Sequence, residues 1–302
     1  MQPVNNPNLK NIMSQDSKKV LVAIGFSDQS LSALNEAAVF AKTIGAEIIL
    51  LTVIEENSFV SRIFGSDIKE DVIRARVEKM LTELAEAKES EFGIKMTTMV
   101  SKGVVYEEIG RVSDLLKPEL VVIGTNGRPT NFRSKLIGSN AYKVVTNVRP
   151  PVITTRGVKP FSGIDTIVFP LVLDRKSKEK VGPAVHYARL FGAKIKTVAV
   201  PKNDEEKAKL IPHVNQVSEF FTKAGIENTS EILEKGKKVA PSFLSYTEEV
   251  KGDIILIMEE GQEAGGLQIF TSDVQAIISN SEVPVMCITP SYTAYESQFS
   301  NF

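Results

Sequence analysis

The sequence predicts an α/β protein with two doubly wound domains, each built on a five-stranded parallel sheet. One observation is a long internal repeat: AKTIGAEI at residues 41–48 recurs as ARLFGAKI at 188–195, 147 residues later. The other is the alternation of short apolar runs with helical periodicity through both halves. Such alternation calls for parallel strands joined by right-handed helical crossovers. Because solenoid repeats are far shorter, this period indicates a duplicated domain.

The first half contains five strand signals and four helix signals. Buried parallel strands read as short apolar runs, whereas helices place apolar residues three and four positions apart. Gly45 follows one helical pattern in the position of a C-terminal cap. The predicted strands are 20–24, 48–53, 94–100, 120–123 and 152–155, and the predicted helices are 31–44, 67–91, 104–116 and 139–147.

The second half repeats this order of elements. Its strands are centred on Ile167, Val198, Ile232, Ile255 and Val285, and its helices cover 176–191, 203–224, 239–250 and 272–280. The linker between the halves is 156–163, which has the Pro and Gly content of a boundary. We therefore predict a first domain at 18–157, a second at 163–290, and tails at 1–17 and 291–302.

Composition excludes several classes of protein. A chain of 302 residues suffices for two domains that each bury a core. The net charge of −1 provides no basic field, so neither nucleic acid nor an anionic membrane is an expected partner. No apolar run approaches the ~18 residues of a membrane span, and residues 1–17 lack the apolar stretch of a signal peptide. We expect a cytoplasmic protein.

Residues suited to metal binding or covalent catalysis are scarce. Cys287 is the only cysteine and lies in an apolar run, which predicts a small core residue. His186 and His213 have no metal-ligating residue three or four positions away. The chain also lacks a Gly-x-Ser-x-Gly elbow and a Walker-type Gly-Lys-Ser/Thr. We expect no metal site and no catalytic residue.

The loop after the fourth strand has the composition of an anion-binding loop. Residues 124–140 read GTNGRPTNFRSKLIGSN, with positive charge from Arg128, Arg133 and Lys135. Glycines let backbone N–H groups approach an anion, and the helix that follows offers the positive end of its dipole. Ligands of open parallel sheets bind beyond the carboxyl ends of the strands, where the strand order reverses. We favour phosphate binding over a plain surface loop.

These residues resemble the adenine-nucleotide signature of the universal stress protein family, and the chain looks like a tandem member from Lys18 to about Pro290. That signature is a glycine, two residues, a glycine, nine residues, then a glycine and a small hydroxyl residue. Gly124, Gly127, Gly138 and Ser139 match it, except that ten residues separate Gly127 from Gly138. The resemblance implies ATP as the ligand, with Mg²⁺ as an optional companion.

The resemblance also assigns roles within the first half. Gly124 and Gly127 would contact ribose and phosphate, with Arg128 adding charge. Gly138, Ser139 and Asn140 would hold the phosphates through backbone N–H groups and the Ser139 hydroxyl.

Three further positions concern the adenine. Ala23 stands where the family carries proline, and Gly25 replaces the aspartate that normally helps fix the adenine. The backbone of Val53 matches the position that reads the adenine edge.

The second half departs further from the family pattern. Pro170 keeps the family proline, but Val172 occupies the aspartate position and Met258 that of the first glycine. Negative charges stand where phosphates would lie, at Glu259, Glu260 and Glu263. Each would repel an anionic ligand by on the order of 1 kcal/mol or more. We expect this half to be structural.

The resemblance implies a binding module with a stress-response or regulatory output through an unidentified protein partner. Two alternatives remain: a slow ATPase or nucleotidyl-transfer relative, and an interaction scaffold without ligand. Fold alone does not distinguish them. The family's fifth strands commonly pair across a two-fold axis, which implies an internal pseudo-dimer here. A homodimer is the preferred assembly of whole chains.

Overall fold

The computed structural model describes residues 17–55, 70–125, 139–159, 161–171, 177–258 and 269–288. The chain divides into two compact units between Gly157 and Val158. Each unit carries an open, parallel, five-stranded sheet with helices packed against it. The predicted doubly wound α/β fold is confirmed.

Unit 1 has the strand order β3-β2-β1-β4-β5, with β1 paired to both β2 and β4. Because right-handed crossovers place consecutive helices on one face until the winding direction reverses, α1 and α2 share one face and α3 and α4 the other. The strands are β1 Lys19–Ala23, β2 Glu47–Ile54, β3 Met96–Lys102, β4 Leu120–Gly124 and β5 Val152–Thr155. The helices are α1 Asp28–Ile44, α2 Glu70–Phe92, α3 Val105–Leu116 and α4 Ser139–Asn147.

The ends of α1 follow from its sequence. The Ser27 side chain accepts a hydrogen bond from the Ser30 amide at 3.3 Å and caps the first turn. Gly45 ends the helix in the left-handed conformation at φ 66°, which glycine adopts without a Cβ clash. Between them, small apolar residues such as Ala33, Ala37 and Ala41 are buried against the sheet.

Unit 2 has the strand order β10-β9-β6-β7-β8. Its strands are β6 Thr166–Leu171, β7 Lys194–Ala199, β8 Asn228–Ile232, β9 Ile254–Met258 and β10 Val285–Ile288. Its helices are α5 Ser177–Phe191, α6 Asp204–Lys223, α7 Val239–Glu249 and α8 Ile269–Asn280. Cys287 is buried in β10, as the apolar run predicts.

The two units share the register of their ladders as well as their strand order. Lys19 pairs with Glu47 in unit 1, and Thr166 pairs with Lys194 in unit 2, each shifted by 147 residues. Gly124 faces Thr155 across β4 and β5, and Met258 faces Ile288 across β9 and β10. These correspondences define equivalent positions in the two units.

Several elements begin elsewhere than predicted, and α1 starts at Asp28, three residues before its predicted start. Ile94 precedes β3, which starts at Met96, because Gly93 turns the chain with φ 66° after α2. α8 starts at Ile269, three residues before the predicted start, so Thr271 lies inside its first turn and not in a loop. Residues 1–16 and 291–302 of the predicted tails, Pro160 of the linker and Val172 lie outside the described residues. Over the ranges that are described, no helix is long and apolar enough to cross a membrane.

Candidate functional site

The strand order of unit 1 reverses between β1 and β4, where ligands of such sheets bind. Ala23, the last residue of β1, pairs with Leu51 of β2 and Ile123 of β4. Val53 and Gly124 therefore lie two residues and one residue beyond Ala23 on the adjacent strands. The fold brings these three predicted site residues to one edge of the sheet.

The loop after β1 is open. The Ile24 amide extends the ladder by donating to the Leu51 carbonyl at 2.8 Å. Gly25 is exposed, and a Cβ built there meets no described atom within 4 Å. Phe26 then takes a left-handed conformation at φ 57°, which turns the chain into the Ser27 cap of α1. This loop therefore leaves space beside the ends of β1 and β2.

The end of β4 lies against the first turn of α1. A Cβ at Gly124 would lie 2.6 Å from the backbone carbon and oxygen of Gln29, closer than real Cβ contacts. Glycine at this position is thus required by packing alone, in addition to the ligand contact that the resemblance implies. The same close approach draws the loop after β1 towards the end of β4.

The β2 and β3 side of the edge carries a balanced group of charges. Val53 pairs with Ser101 of β3, whose hydroxyl donates to the Glu108 carboxylate. Arg111 donates to the same carboxylate at 2.6 Å. Burial tends to raise the pKa of Glu108, but the hydrogen bonds from Arg111 and Ser101 outweigh it and hold that pKa below its ordinary value. Glu55, after β2, accepts from the Val105 amide at 3.0 Å and caps α3.

The remaining predicted site residues are described only in part. α4 begins at Ser139 and continues through Asn140, as predicted, but the side chains of both are not described. The first amides of a helix have no intrahelical partner, so this end is suited to an anion. Gly127, Arg128 and Gly138 lie outside the described residues.

A buried polar cluster beside this site is not evident from the sequence pattern. The Thr155 hydroxyl donates to Glu36 Oε1 at 2.8 Å and accepts from the Gly157 amide at 3.0 Å. The Thr155 carbonyl accepts from the Thr125 amide at 2.6 Å and from the Thr125 hydroxyl at 3.1 Å. Thr125 directly follows Gly124, at the start of the glycine loop of residues 124–140. The cluster therefore joins α1, the end of β5 and the start of that loop.

Glu36 is the unusual member of the cluster. Its side chain is 3% exposed, and among the described residues Glu36 Oε2 has no hydrogen-bond partner. Burial raises the pKa of Glu36 from 4.5 to about 7, and the Thr155 hydrogen bond opposes that rise. Glu36 stands at helical spacing from Ala33 and Phe40 on the apolar face of α1. A carboxyl in that stripe was the signal that could have revealed it.

In unit 2 a small cavity lies at the ends of the two equivalent strands. Between the ends of β6 and β9, the side chains of Phe169 and Met258 border a cavity of about 30 Å³, with α7 and α8 on its other sides. A cavity of this size holds about one water molecule. Glu259, Glu260 and Glu263 lie outside the described residues.

Metal-ligating side chains are not grouped in the parts of the chain that the structure describes. Within them, no three His, Cys, Asp or Glu residues come close enough to hold an ion. The His186 ring packs edge-on against Tyr187, with ring centroids 5.1 Å apart.

Comparisons with known proteins agree on one family. The sequence profile of the Universal stress protein family matches residues 17–156. Universal stress protein MJ0531 of Methanocaldococcus jannaschii is 30% identical over 144 residues, covering 47% of this chain and 84% of that protein. Universal stress protein YxiE of Bacillus subtilis is 30% identical over 146 residues, covering 46% and 98%. The crystal structure of a universal stress protein from Archaeoglobus fulgidus matches with a TM-score of 0.72 at 22% identity, over 92% of this chain and all of that one.

Proposed function

Because the chain belongs to the universal stress protein family, we propose that unit 1 binds ATP at the carboxyl edge of β1, β2 and β4. In this proposal the chain is a tandem member that acts as a regulatory binding module. The second unit is a structural copy that binds no nucleotide. The regulatory output of the whole chain passes to a protein partner.

The observation that carries this proposal is the open edge at the reversal point of unit 1. A Cβ built at Gly25 meets no described atom within 4 Å, Gly124 lacks a side chain at the end of β4, and α4 begins at Ser139 after the loop. The adenine would lie beside Gly25 and the Val53 backbone. The phosphates would lie at the start of α4, where helix amides and dipole favour an anion.

The contrast with unit 2 supports one site per chain. Met258 replaces Gly124, and its side chain borders a cavity of about 30 Å³ between β6 and β9. A methionine side chain at this position takes up room that a nucleotide would need.

Any Mg²⁺ would depend on the nucleotide for its binding. No acidic cluster lies in the described residues, so the protein provides no cage of its own there. Mg²⁺ commonly keeps several waters and binds through substrate phosphates. In this proposal its ligands are the ATP phosphates and water.

A matched pair of glycine variants tests the site. We expect calorimetry of the full chain to give one ATP per chain, and Gly127→Val to abolish that binding. A β-branched side chain obstructs the approach of an anion to the backbone. Gly261→Val is the control, because Gly261 is the equivalent glycine of the second half. Equal loss of binding in both variants would contradict an assignment to unit 1.

The same calorimetric samples, followed for ADP release, distinguish the rival functions. ATP that is bound but not hydrolysed supports the binding module, whereas steady release of ADP identifies a slow ATPase. Absence of binding at any nucleotide concentration identifies the scaffold. The replacement of the family aspartate by Gly25 is the feature that favours the scaffold over the other rival.

A further inference from the structure

We infer that Glu36 is a proton-binding positioning residue: its neutral carboxyl keeps α1 docked on β5 beside Thr125, and loss of its proton weakens nucleotide binding. This inference rests on the proposed ATP site of unit 1. It assigns to that site a regulation by protons, through a residue that does not touch the nucleotide.

The geometry favours a neutral carboxyl. Glu36 Oε1 accepts the Thr155 hydroxyl at 2.8 Å, as a carbonyl oxygen would, and Oε2 lacks a hydrogen-bond partner in the described residues. A carboxylate would keep the Thr155 bond but leave a second charged oxygen without a donor. Burying a charge in that state is costly, and water entering between α1 and β5 would relieve the cost.

A shift at the contact between Glu36 and Thr155 would be transmitted to Thr125, at the start of the glycine loop. Thr155 holds Thr125 through two hydrogen bonds to its carbonyl, and its hydroxyl also holds the Gly157 amide. Gly157 packs so closely on Ser32 that a Cβ would overlap that side chain, and its φ is +62°. Ser32 and Glu36 lie one turn apart on α1, so one face of this helix contacts both Thr155 and Gly157.

The fold does not require this polar pair. Unit 2 has the same ladder register, but Pro183 stands at the position of Glu36 and Ile288 at that of Thr155. Both replacements are buried and apolar. A buried acid that the equivalent helix dispenses with points to a role peculiar to unit 1, where the site is proposed.

Other charged groups around α1 do not account for the raised pKa of Glu36. α1 packs on β1, β2, β4 and β5, and the charged residues of these strands are Lys19 and Glu47, which pair with each other at 3.7 Å. Asp28 and Lys42 lie near the two ends of α1, Glu55 follows β2, and Arg156 follows Thr155. The pKa of Glu36, about 7, is set by burial and partly offset by the Thr155 hydrogen bond.

The direction in which ATP affinity changes with pH follows from thermodynamic linkage between proton binding and ATP binding. If ATP binds better to the form with neutral Glu36, affinity is highest below the pKa of the free protein and falls as pH rises through it. A negative charge close to a phosphate site acts in the same direction.

The experiment is ATP calorimetry on the full chain between about pH 6 and about pH 8. Glu36→Gln, a permanent mimic of the neutral acid, is compared with the wild type at each pH, so that protonation of ATP itself cancels. We expect the wild type to lose on the order of tenfold in affinity relative to Glu36→Gln over this range. Glu86→Gln, the same change on an exposed face of α2, should behave as the wild type.

A second variant tests the route. Thr155→Val removes the hydrogen bond that lowers the pKa of Glu36, so the fall in affinity should move to higher pH. An unchanged midpoint in Thr155→Val, or identical pH profiles for the wild type and Glu36→Gln, overturns the inference and leaves the ATP site standing. Absence of ATP binding at every pH overturns both the site and the inference.

If Glu36→Gln does not fold, the inference is tested by a spectroscopic measurement on the wild-type protein. Carbon-13 NMR of the Glu36 carboxyl gives its titration midpoint with and without ATP. A midpoint that ATP moves upward supports the inference, and one that ATP leaves in place overturns it.

Discussion

At the scale of one residue, the buried Glu36 carboxyl makes folding itself proton-linked. In the unfolded chain its pKa is near 4.5, whereas burial raises the folded value to about 7. Between these values the folded state holds more protons, so stability falls as pH rises and levels off above about pH 7. At about 1.4 kcal/mol for each unit of pKa, the loss amounts to about 3 kcal/mol. That is a large share of the stability of a typical domain.

At Gly25 the chain lacks the aspartate side chain that is typical of the family, although a side chain would fit there. We predict that Gly25→Asp raises the affinity for ATP on the order of tenfold, because the carboxylate regains the adenine contact that the family resemblance implies. The backbone at Gly25 is not left-handed, and a Cβ there meets nothing within 4 Å. Calorimetry on the full chain measures the change.

The control for this substitution is Gly163→Asp. Gly163 in unit 2 has the same free space and an unstrained backbone, so the variant adds equal charge away from the site. An increase in affinity common to both variants would show that net charge, and not an adenine contact, is responsible.

At the scale of elements, the first turn of α1 depends on Gly124. We predict that Gly124→Ala lowers the free energy of unfolding by about 1–3 kcal/mol, because the new methyl group would lie 2.6 Å from the Gln29 backbone and α1 would have to shift. Urea unfolding followed by circular dichroism measures the loss. Gly25→Ala, which adds the same methyl group into free space, should leave the midpoint unchanged.

A stable Gly124→Ala would contradict the close docking of α1 on β4. Should that variant keep its stability but lose ATP, the glycine would serve the ligand alone. The two roles are thus separable by measuring unfolding and binding on the same protein.

The helices and strands were predictable because the apolar runs of the strands and the helical spacing of apolar residues are both strong in this chain. The apolar run at β4 and the helical stripe of α1 specify their own conformation, and Gly45 specifies where α1 ends. Ile94 misled because it continues the alternation of β3 across a turn that Gly93 imposes. Apolar alternation alone does not reveal such a turn.

The candidate site was less accessible from sequence. The positions of Ala23, Val53 and Gly124 at one edge follow from parallel order, which the alternation of elements implies. The contact between Gly124 and Gln29 and the hydrogen bond between Glu36 and Thr155 join distant segments, 119 residues apart in the second case. Local pattern carries no information about which side chains meet across such a separation.

At the scale of the whole molecule, β5 and β10 are each the outermost strand of their own unit. The outermost strand of a sheet can extend that sheet by pairing with another strand. We predict that β5 and β10 of one chain pair with each other, because the short linker holds them at a high effective concentration. Hydrogen exchange should then show protection of successive amides in both strands, independent of protein concentration.

Protection that fades on dilution would instead assign these edges to a homodimer. Rapid exchange of every second amide in both strands would contradict pairing of either kind. Sedimentation of the same samples gives the mass of the particle and separates the first two outcomes.

The shared register of the two ladders also has a consequence for how the chain acquires its structure. Since equivalent strands carry equivalent spacing, a helix of the full-length unfolded chain could pack on either sheet during refolding, and misassembly between domains is a characteristic failure of multidomain and repeat proteins. The Glu36–Thr155 pair distinguishes the copies. An α1 laid on β10 would bury its carboxyl against Ile288, which has no hydroxyl to donate. The divergence of these two buried positions therefore disfavours the packing of α1 on β10.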